Sequence, residues 1–145
     1  MKSRTVSLAC ALTLFASLPV SSQVKAKHGD IDITVTELKR VKEFKVPGAA
    51  APYGPGPFVA KAGYDLSVVT FEAVKEIEIG DQGVKIALVD INGQSYRKVF
   101  SQTAFYEKGN VKVVALFEVP EQVRLSSLNL DETAIDISKL ALLGK

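Results

Sequence analysis

Two glutamates at the end of an apolar segment are the first side chains to test for chemistry. The segment VVALFEVPEQ, residues 113–122, carries Glu118 and Glu121 around Pro120. Two carboxylates can hydrolyse a glycosidic bond by acid–base chemistry when they flank it. The chain has 16 acidic residues, so some of them must lie close together, and nothing distinguishes these two. We therefore predict that Glu118 and Glu121 lie at the rim of a strand and form no catalytic pair.

Nucleophilic and metal chemistry both lack the residues that they need. The chain has one histidine, His28, and one cysteine, Cys10. A serine hydrolase needs a base beside its serine, and zinc or copper sites need several histidine or cysteine ligands. The stretches HGDID and NLDETAID cluster carboxylates without the dense oxygen spacing of a calcium loop. The sequence therefore predicts no catalytic residue, no metal and no cofactor, and an uncharacterised hydrolase is the third-ranked interpretation.

A proline-rich segment offers a different kind of site. Residues 47–63, PGAAAPYGPGPFVAKAG, include four prolines, a density that excludes a helix or a central strand. Tyr53 and Phe58 lie on this stiff backbone, and stiff aromatic side chains bind partners at a low entropic cost. We predict Tyr53 and Phe58 as binding residues. The alternative is that both pack back over one end of the domain as a lid.

The first 22 residues are predicted to form a secretory signal peptide. Lys2 and Arg4 precede an apolar run over residues 6–20, which is shorter than the roughly 20 residues of a membrane-spanning helix. The preferred cleavage site precedes Gln23, and a cut after Ala26 is the alternative. The predicted location is the periplasm or the outside of the cell, with no stable membrane insertion after cleavage.

Removing that segment changes the charge and the cysteine content of the chain. The 18 basic residues lose Lys2 and Arg4 and then equal the 16 acidic ones, so the mature chain is close to neutral. Binding to nucleic acid or to an anionic membrane surface needs a clustered basic face, so neither is predicted. Cys10 also leaves, so the domain must be stabilised by a buried core without disulfides. About 120 residues suffice for one such domain.

Alternating apolar and polar residues predict a domain made of β-strands. Ile31, Ile33 and Val35 alternate with polar residues, and apolar residues alternate in the same way across 111–119. Further strand patterns occupy residues 64–74, 75–80, 84–90, 95–100, 123–130 and 134–140. We therefore predict an all-β, antiparallel β-sandwich of about seven or eight strands over residues 30–145, preceded by a flexible segment at 23–29.

A hairpin around residues 92–93 has two candidate registers. A two-residue loop would pair Leu88 with Arg97 and would mix polar and apolar side chains on both faces. A type I turn followed by a bulge would pair Leu88 with Tyr96 and would keep apolar side chains together. The second register is therefore favoured.

The favoured register gives roles to the turn residues. Asp90 begins the turn, where its carboxylate can accept hydrogen bonds from nearby amides, and Gly93 takes the left-handed position. The register also pairs Val84 with Phe100. Only Lys98, which would face an isoleucine, does not fit this pattern.

Short motifs in the second half of the chain resemble one known family. The turn VDINGQSY is followed by EKGN and then by VVALFEVP. This order is similar to that of the telokin-like, immunoglobulin-like family of unknown function found in secreted bacterial proteins and lipoproteins. The resemblance implies an immunoglobulin-like β-sandwich in an extracytoplasmic setting, and it supplies no catalytic residues. The turn and strand positions that carry it are Asp90, Gly93, Tyr96, Gly109, Phe117, Val119 and Pro120.

These observations favour a secreted or periplasmic, non-enzymatic binding module. Its expected partner is an unidentified protein of the envelope or the extracellular space, bound by the 47–63 loop or by an exposed sheet edge. The second hypothesis is a structural or stress-related envelope protein without a specific small ligand. It is motivated by the neutral charge and by the lack of catalytic residues.

Overall fold

Antiparallel β-strands make up nearly all of the regular structure. The computed structural model of the protein describes residues 23–46, 57–75, 77–80, 82–105 and 110–143. Within these ranges no helix reaches the length and apolarity that crossing a bilayer requires. The elements are β1 (Val24–His28), β2 (Ile31–Val41), β3 (Glu43–Phe44), β4 (Phe58–Val59), β5 (Tyr64–Ala73), β6 (Ile86–Asp90), β7 (Ser95–Phe105), β8 (Val111–Pro120), β9 (Leu125–Leu130), β10 (Thr133–Asp136) and the helix α1 (Ser138–Leu143).

Eight strands form one continuous antiparallel sheet that folds into two layers. Their order is β1-β2-β5-β8-β7-β6-β9-β10, and β3 and β4 form a separate pair. Strand β7 pairs with β6 over Ser95–Arg97 and with β8 over Lys98–Phe105, so it passes from one layer to the other. The predicted antiparallel β-sandwich is confirmed.

The main core lies between the two layers. Phe71 of β5 and Phe117 of β8 are fully buried there against Leu88, Leu128 and Ile135 of the other layer. Each such side chain stabilises the fold by about 1.5–3 kcal/mol through burial. The apolar face predicted for β8 is confirmed, because every second residue from Val111 to Val119 is 0% exposed.

The first and last strands of the sheet, β1 and β10, are joined by contacts of His28. His28 Nδ1 of β1 lies 3.0 Å from Thr133 Oγ1 of β10, and His28 Nε2 lies 3.7 Å from Asp131 Oδ2. The prediction of a flexible segment at 23–29 is therefore wrong. Val24 and Ala26 pack against the core, while Lys25 and Lys27 are exposed, and this short alternation makes β1 a paired strand.

The hairpin register predicted from the side-chain pattern is confirmed. Leu88 faces Tyr96, and the Asp90 carbonyl accepts a hydrogen bond of 3.0 Å from the Gly93 amide. Gly93 has a φ of 86°, a left-handed conformation that favours glycine.

The extension of that register to Val84 and Phe100 is wrong. The β6–β7 ladder stops at the pair formed by Ala87 and Arg97. Beyond that pair, β7 turns to the other layer, where Phe100 faces Leu116 of β8. Val84 instead forms an isolated bridge with Ile79.

Two other segments that were predicted as strands differ in the structure. Over the described residues 77–80, the predicted strand is replaced by that single bridge at Ile79. At the C-terminal end, β10 stops at Asp136 and α1 begins at Ser138. The Ser138 amide donates a hydrogen bond of 2.9 Å to Asp136 Oδ1, which lowers the pKa of this carboxyl and caps the helix.

Candidate binding surface

The structure describes one of the two predicted binding residues. Tyr53 lies outside the described residues. Phe58 begins β4, where it faces Phe44 of β3, and its ring centroid lies 5.0 Å from that of Phe100 with a tilt of 40°. This is a favourable geometry for two aromatic rings. Phe58 therefore packs against the sandwich, as the lid alternative expected, and its role in binding stays a prediction.

Phe58 belongs to a second apolar cluster on the outer face of the layer that contains β5 and β8. At its centre, Leu66, Val68 and Leu116 are fully buried, although they point away from the main core. Side chains alternate across a strand, so even-numbered residues of β5 must reach this outer face. Around this centre lie partly buried apolar residues, namely Val41, Phe44, Phe58, Ala60, Phe100 and Val114.

The pair β3–β4 contributes Phe44 and Phe58 to this cluster, and we call the pair the flap. The flap contacts the sandwich through Phe58 and Phe100, and a hydrogen bond of 2.9 Å from the Ala60 amide to the Lys42 carbonyl extends the pairing of its two strands. Val59 on the flap is 66% exposed. The outer apolar surface is therefore the flap together with the partly buried residues that surround Leu66, Val68 and Leu116.

Charged side chains of both signs border the outer apolar surface. Glu118 Oε2 accepts a hydrogen bond of 3.1 Å from the Lys61 amide, and the Lys61 ammonium lies 4.3 Å from the centre of the Tyr64 ring. Lys42 Nζ contacts Glu121 and lies 2.7 Å from Asp65 Oδ1. Hydrogen bonds to Asp65 and Glu121 raise the pKa of Lys42.

These contacts account for the positions of Glu118 and Glu121 at the end of β8. Glu118 and Glu121 contact different lysines, Lys61 and Lys42, so each carboxylate is neutralised separately. We call these four residues the charged rim. An apolar centre inside a polar rim is the usual anatomy of a protein–protein interface.

The residues predicted as turn and strand signals lie elsewhere. Asp90, Gly93 and Tyr96 hold the β6–β7 turn, and Phe117 is buried in the main core. Pro120 ends β8. Gly109 lies outside the described residues. The described members of this set support the scaffold and are not part of the outer apolar surface.

Sequence reasoning missed the members of this surface that lie on other strands. Phe44, Phe100 and Leu116 come from β3, β7 and β8, and they meet only through long-range pairing. One signal was present, because β5 is apolar at both odd and even positions, a pattern typical of strands buried on both faces.

No group of three or more metal-ligating side chains occurs within the described ranges. Ser67 is fully buried, and its Oγ has no hydrogen-bond partner in the part of the chain that the structure describes. His28 is engaged with Thr133, on another strand pair. The outer apolar surface, with its apolar centre and charged rim, is the candidate functional site.

Comparison with known proteins yields one structural likeness. No protein-family model matches the chain, and no curated protein matches it. A crystal structure of an uncharacterized β-sandwich protein from Clostridium difficile 630 superposes with a TM-score of 0.49 and 11% sequence identity, covering 76% of this chain and 85% of that one.

Proposed function

We propose that the protein is an exported, non-enzymatic binding module that contacts a protein partner through its outer apolar surface. The observation that supports this proposal is the partial exposure of that surface, because Phe58 and Phe100 are only partly buried and Val59, on the outer side of the flap, is 66% exposed. Apolar side chains of the partner would extend the contact that the flap begins.

The charged rim supports the choice of a protein partner. Lys42, Lys61, Glu118 and Glu121 place both signs of charge around one apolar centre. Rims of this kind fix orientation and reject partners with mismatched charges more than they raise affinity. The partner surface that fits is an apolar segment flanked by acidic and basic side chains.

The proposed setting and family rest on the sequence. The predicted signal peptide places the domain in the periplasm or outside the cell. The hairpin motif and the end of β8 resemble the telokin-like, immunoglobulin-like family, and the β-sandwich agrees with such a fold. We include membership of that family in the proposal.

The test is crosslinking capture from an envelope extract with the chain that begins at Gln23. Two variants change the surface: the double variant Tyr53→Ser/Phe58→Ser removes aromatic rings, and Val59→Asp adds a charge without removing the Phe58–Phe100 contact. Val74→Asp is the matched control, because Val74 is 53% exposed and follows β5 at the end away from the flap.

We expect a saturable complex with the unaltered chain and with Val74→Asp. Both surface variants should lose it while they keep the circular dichroism and thermal unfolding of a folded domain. Binding that survives both changes would remove the outer apolar surface from the proposal. The absence of any specific complex would favour a structural envelope protein instead.

A further inference from the structure

A cavity opens at the point where β7 leaves β6 and joins β8. The last β6–β7 pair is Ala87 with Arg97, and the first β7–β8 pair is Lys98 with Phe117. The cavity has a volume of about 350 Å³, which is within the size range of small-molecule sites. It is lined by Gly80, Lys85, Ile86, Arg97 and Lys98.

The position of the cavity agrees with the one misfit in the hairpin pattern. Continuing the β6–β7 register by one pair would place Lys98 beside Ile86, a charged side chain against a buried apolar one. The strands separate at this pair, and both residues line the space between them. Separation removes the mismatch and leaves Lys98 facing an open cavity.

Three basic residues line the same cavity. Arg97 and Lys98 are consecutive and ordinarily point to opposite faces of a strand. The strands β6 and β7 separate after the pair formed by Ala87 and Arg97, so residues from both faces can border the gap, and Arg97 and Lys98 both line it. Lys85, directly before β6, completes the set.

Within the described residues, these three cations form no ion pair. In the described ranges, no carboxylate lies within 4.0 Å of the charged groups of Lys85, Arg97 or Lys98, in contrast to the lysines of the charged rim. Asp131 contacts this region through its Oδ1, which accepts a hydrogen bond of 3.0 Å from the backbone amide of Lys85. The cavity therefore concentrates positive charge in a nearly neutral protein.

We propose that this cavity binds a phosphate group. The arginine guanidinium can donate two parallel hydrogen bonds to a phosphate, and the two lysine ammonium groups act as point charges on its remaining oxygens. A phosphate brings three acceptor oxygens and up to two negative charges, which matches three cations better than a single carboxylate does. Ile86 gives the cavity an apolar wall for the organic part of the ligand.

The phosphate could belong to a soluble phosphomonoester or to a lipid headgroup, and two probes distinguish these sources. Inorganic phosphate is titrated into the isotope-labelled chain, and backbone amide shifts are followed by nuclear magnetic resonance. The second probe is co-sedimentation with vesicles that contain phosphatidic acid, compared with vesicles of phosphatidylcholine alone.

The variants change charge at two sites by the same amount. Arg97→Gln/Lys98→Gln removes two cations from the cavity, and Lys25→Gln/Lys45→Gln removes two exposed cations elsewhere. Lys85→Gln is a single change that tests the cavity again if the adjacent double change disturbs β7. The spectrum of each unliganded variant verifies that it is folded.

We expect saturable shifts at the amides of Lys85, Arg97 and Lys98, weakened by added salt because the contacts are ionic. Affinity should fall by roughly tenfold or more in the cavity variant, since two charge-assisted hydrogen-bond donors are lost, and should be unchanged in the control. Vesicle binding that follows the same pattern assigns the phosphate to a lipid, and shifts without vesicle binding assign it to a soluble ligand. Shifts spread evenly over the surface, or equal affinity in both double variants, would overturn the proposal.

Discussion

The Tyr96 hydroxyl donates a hydrogen bond of 2.8 Å to Asp90 Oδ2, while Asp90 Oδ1 accepts from the backbone amides of Asn92 and Gln94. One carboxylate therefore holds both the turn and the strand that follows it. Burial raises the pKa of Tyr96 to about 12, and the hydrogen bond to Asp90 adds to this rise. Burial also opposes the ionisation of Asp90, but the hydrogen bonds outweigh it and lower the Asp90 pKa.

We expect Tyr96 to ionise two pH units later than an ordinary tyrosine, near pH 12 instead of 10.0. A pKa that is raised on folding stabilises the protein fully below the unfolded value, and this stability is lost as the pH rises toward the folded value. The free energy of unfolding should therefore fall between pH 10 and 12 in the wild type. It should fall less steeply in Tyr96→Phe.

Tyrosinate absorbance measured during an alkaline titration checks the assignment. An ionisation step near pH 12 should be present in the wild type and missing from Tyr96→Phe. A titration in which all the tyrosines of the folded wild type ionise together near pH 10 would contradict the role given to the Asp90 contact.

Arg40 and Lys42 are close in sequence, but they should differ in their importance for stability. Arg40 is 18% exposed, and its Nη1 and Nη2 donate hydrogen bonds of 2.5 and 2.7 Å to the carbonyls of Val123 and Pro120. Replacing Arg40 by methionine leaves both carbonyls without this donor. The expected loss of unfolding free energy is about 2–4 kcal/mol.

Lys42→Met is the matched control for that change. The Lys42 side chain is 60% exposed, and ion pairs at such positions contribute little because water screens them. Chemical denaturation of both variants gives the comparison. Equal destabilisation by the two substitutions would show that the contacts of Arg40 with the β8–β9 connection are not what stabilises this end of the sandwich.

Ser67→Ala should leave the fold unchanged or stabilise it by up to about 1 kcal/mol. Ser67 is 0% exposed, and within the described ranges its Oγ has no partner, so folding removes the hydroxyl from water without a replacement bond. Ser127→Ala is the control, because the Ser127 hydroxyl donates a hydrogen bond of 2.9 Å to Asn129 Oδ1 and its loss should destabilise the protein.

Urea denaturation of the two alanine variants decides this point. A clear destabilisation by Ser67→Ala would indicate that a buried water bridges Ser67 Oγ to another polar atom. Arg40 Nε is the best placed, because Arg40 and Ser67 face each other across β2 and β5. This nitrogen is buried and has no hydrogen-bond partner within the described residues, and its one charged neighbour there is Asp65 Oδ2 at 3.4 Å.

Local sequence patterns predicted the parts of the fold that depend on neighbouring residues. The two-residue alternation gave the inner face of β8, and the polar and apolar pattern around Gly93 selected the correct register against Tyr96. Both depend on which side of a strand each residue occupies, and the order of residues determines that directly.

Long-range pairing determined the features that the sequence did not predict. The change of partner by β7 at Lys98 depends on β8, and the flap depends on the pairing of Phe44 with Phe58, which are far apart in the sequence. The cavity that we propose as a phosphate site depends on the same change of partner. The poor fit of Lys98 beside Ile86 in the predicted register indicated this position, but it did not indicate that β6 and β7 would separate there.

Strand β7 also limits how the domain can open. Its first residues complete the layer of β6, and the residues from Lys98 onward complete the layer of β8, so one continuous backbone belongs to both. Displacing β7 from one layer also weakens its pairing with the other layer. The two halves of the sandwich therefore share a single cooperative unfolding unit instead of melting as separate half-domains.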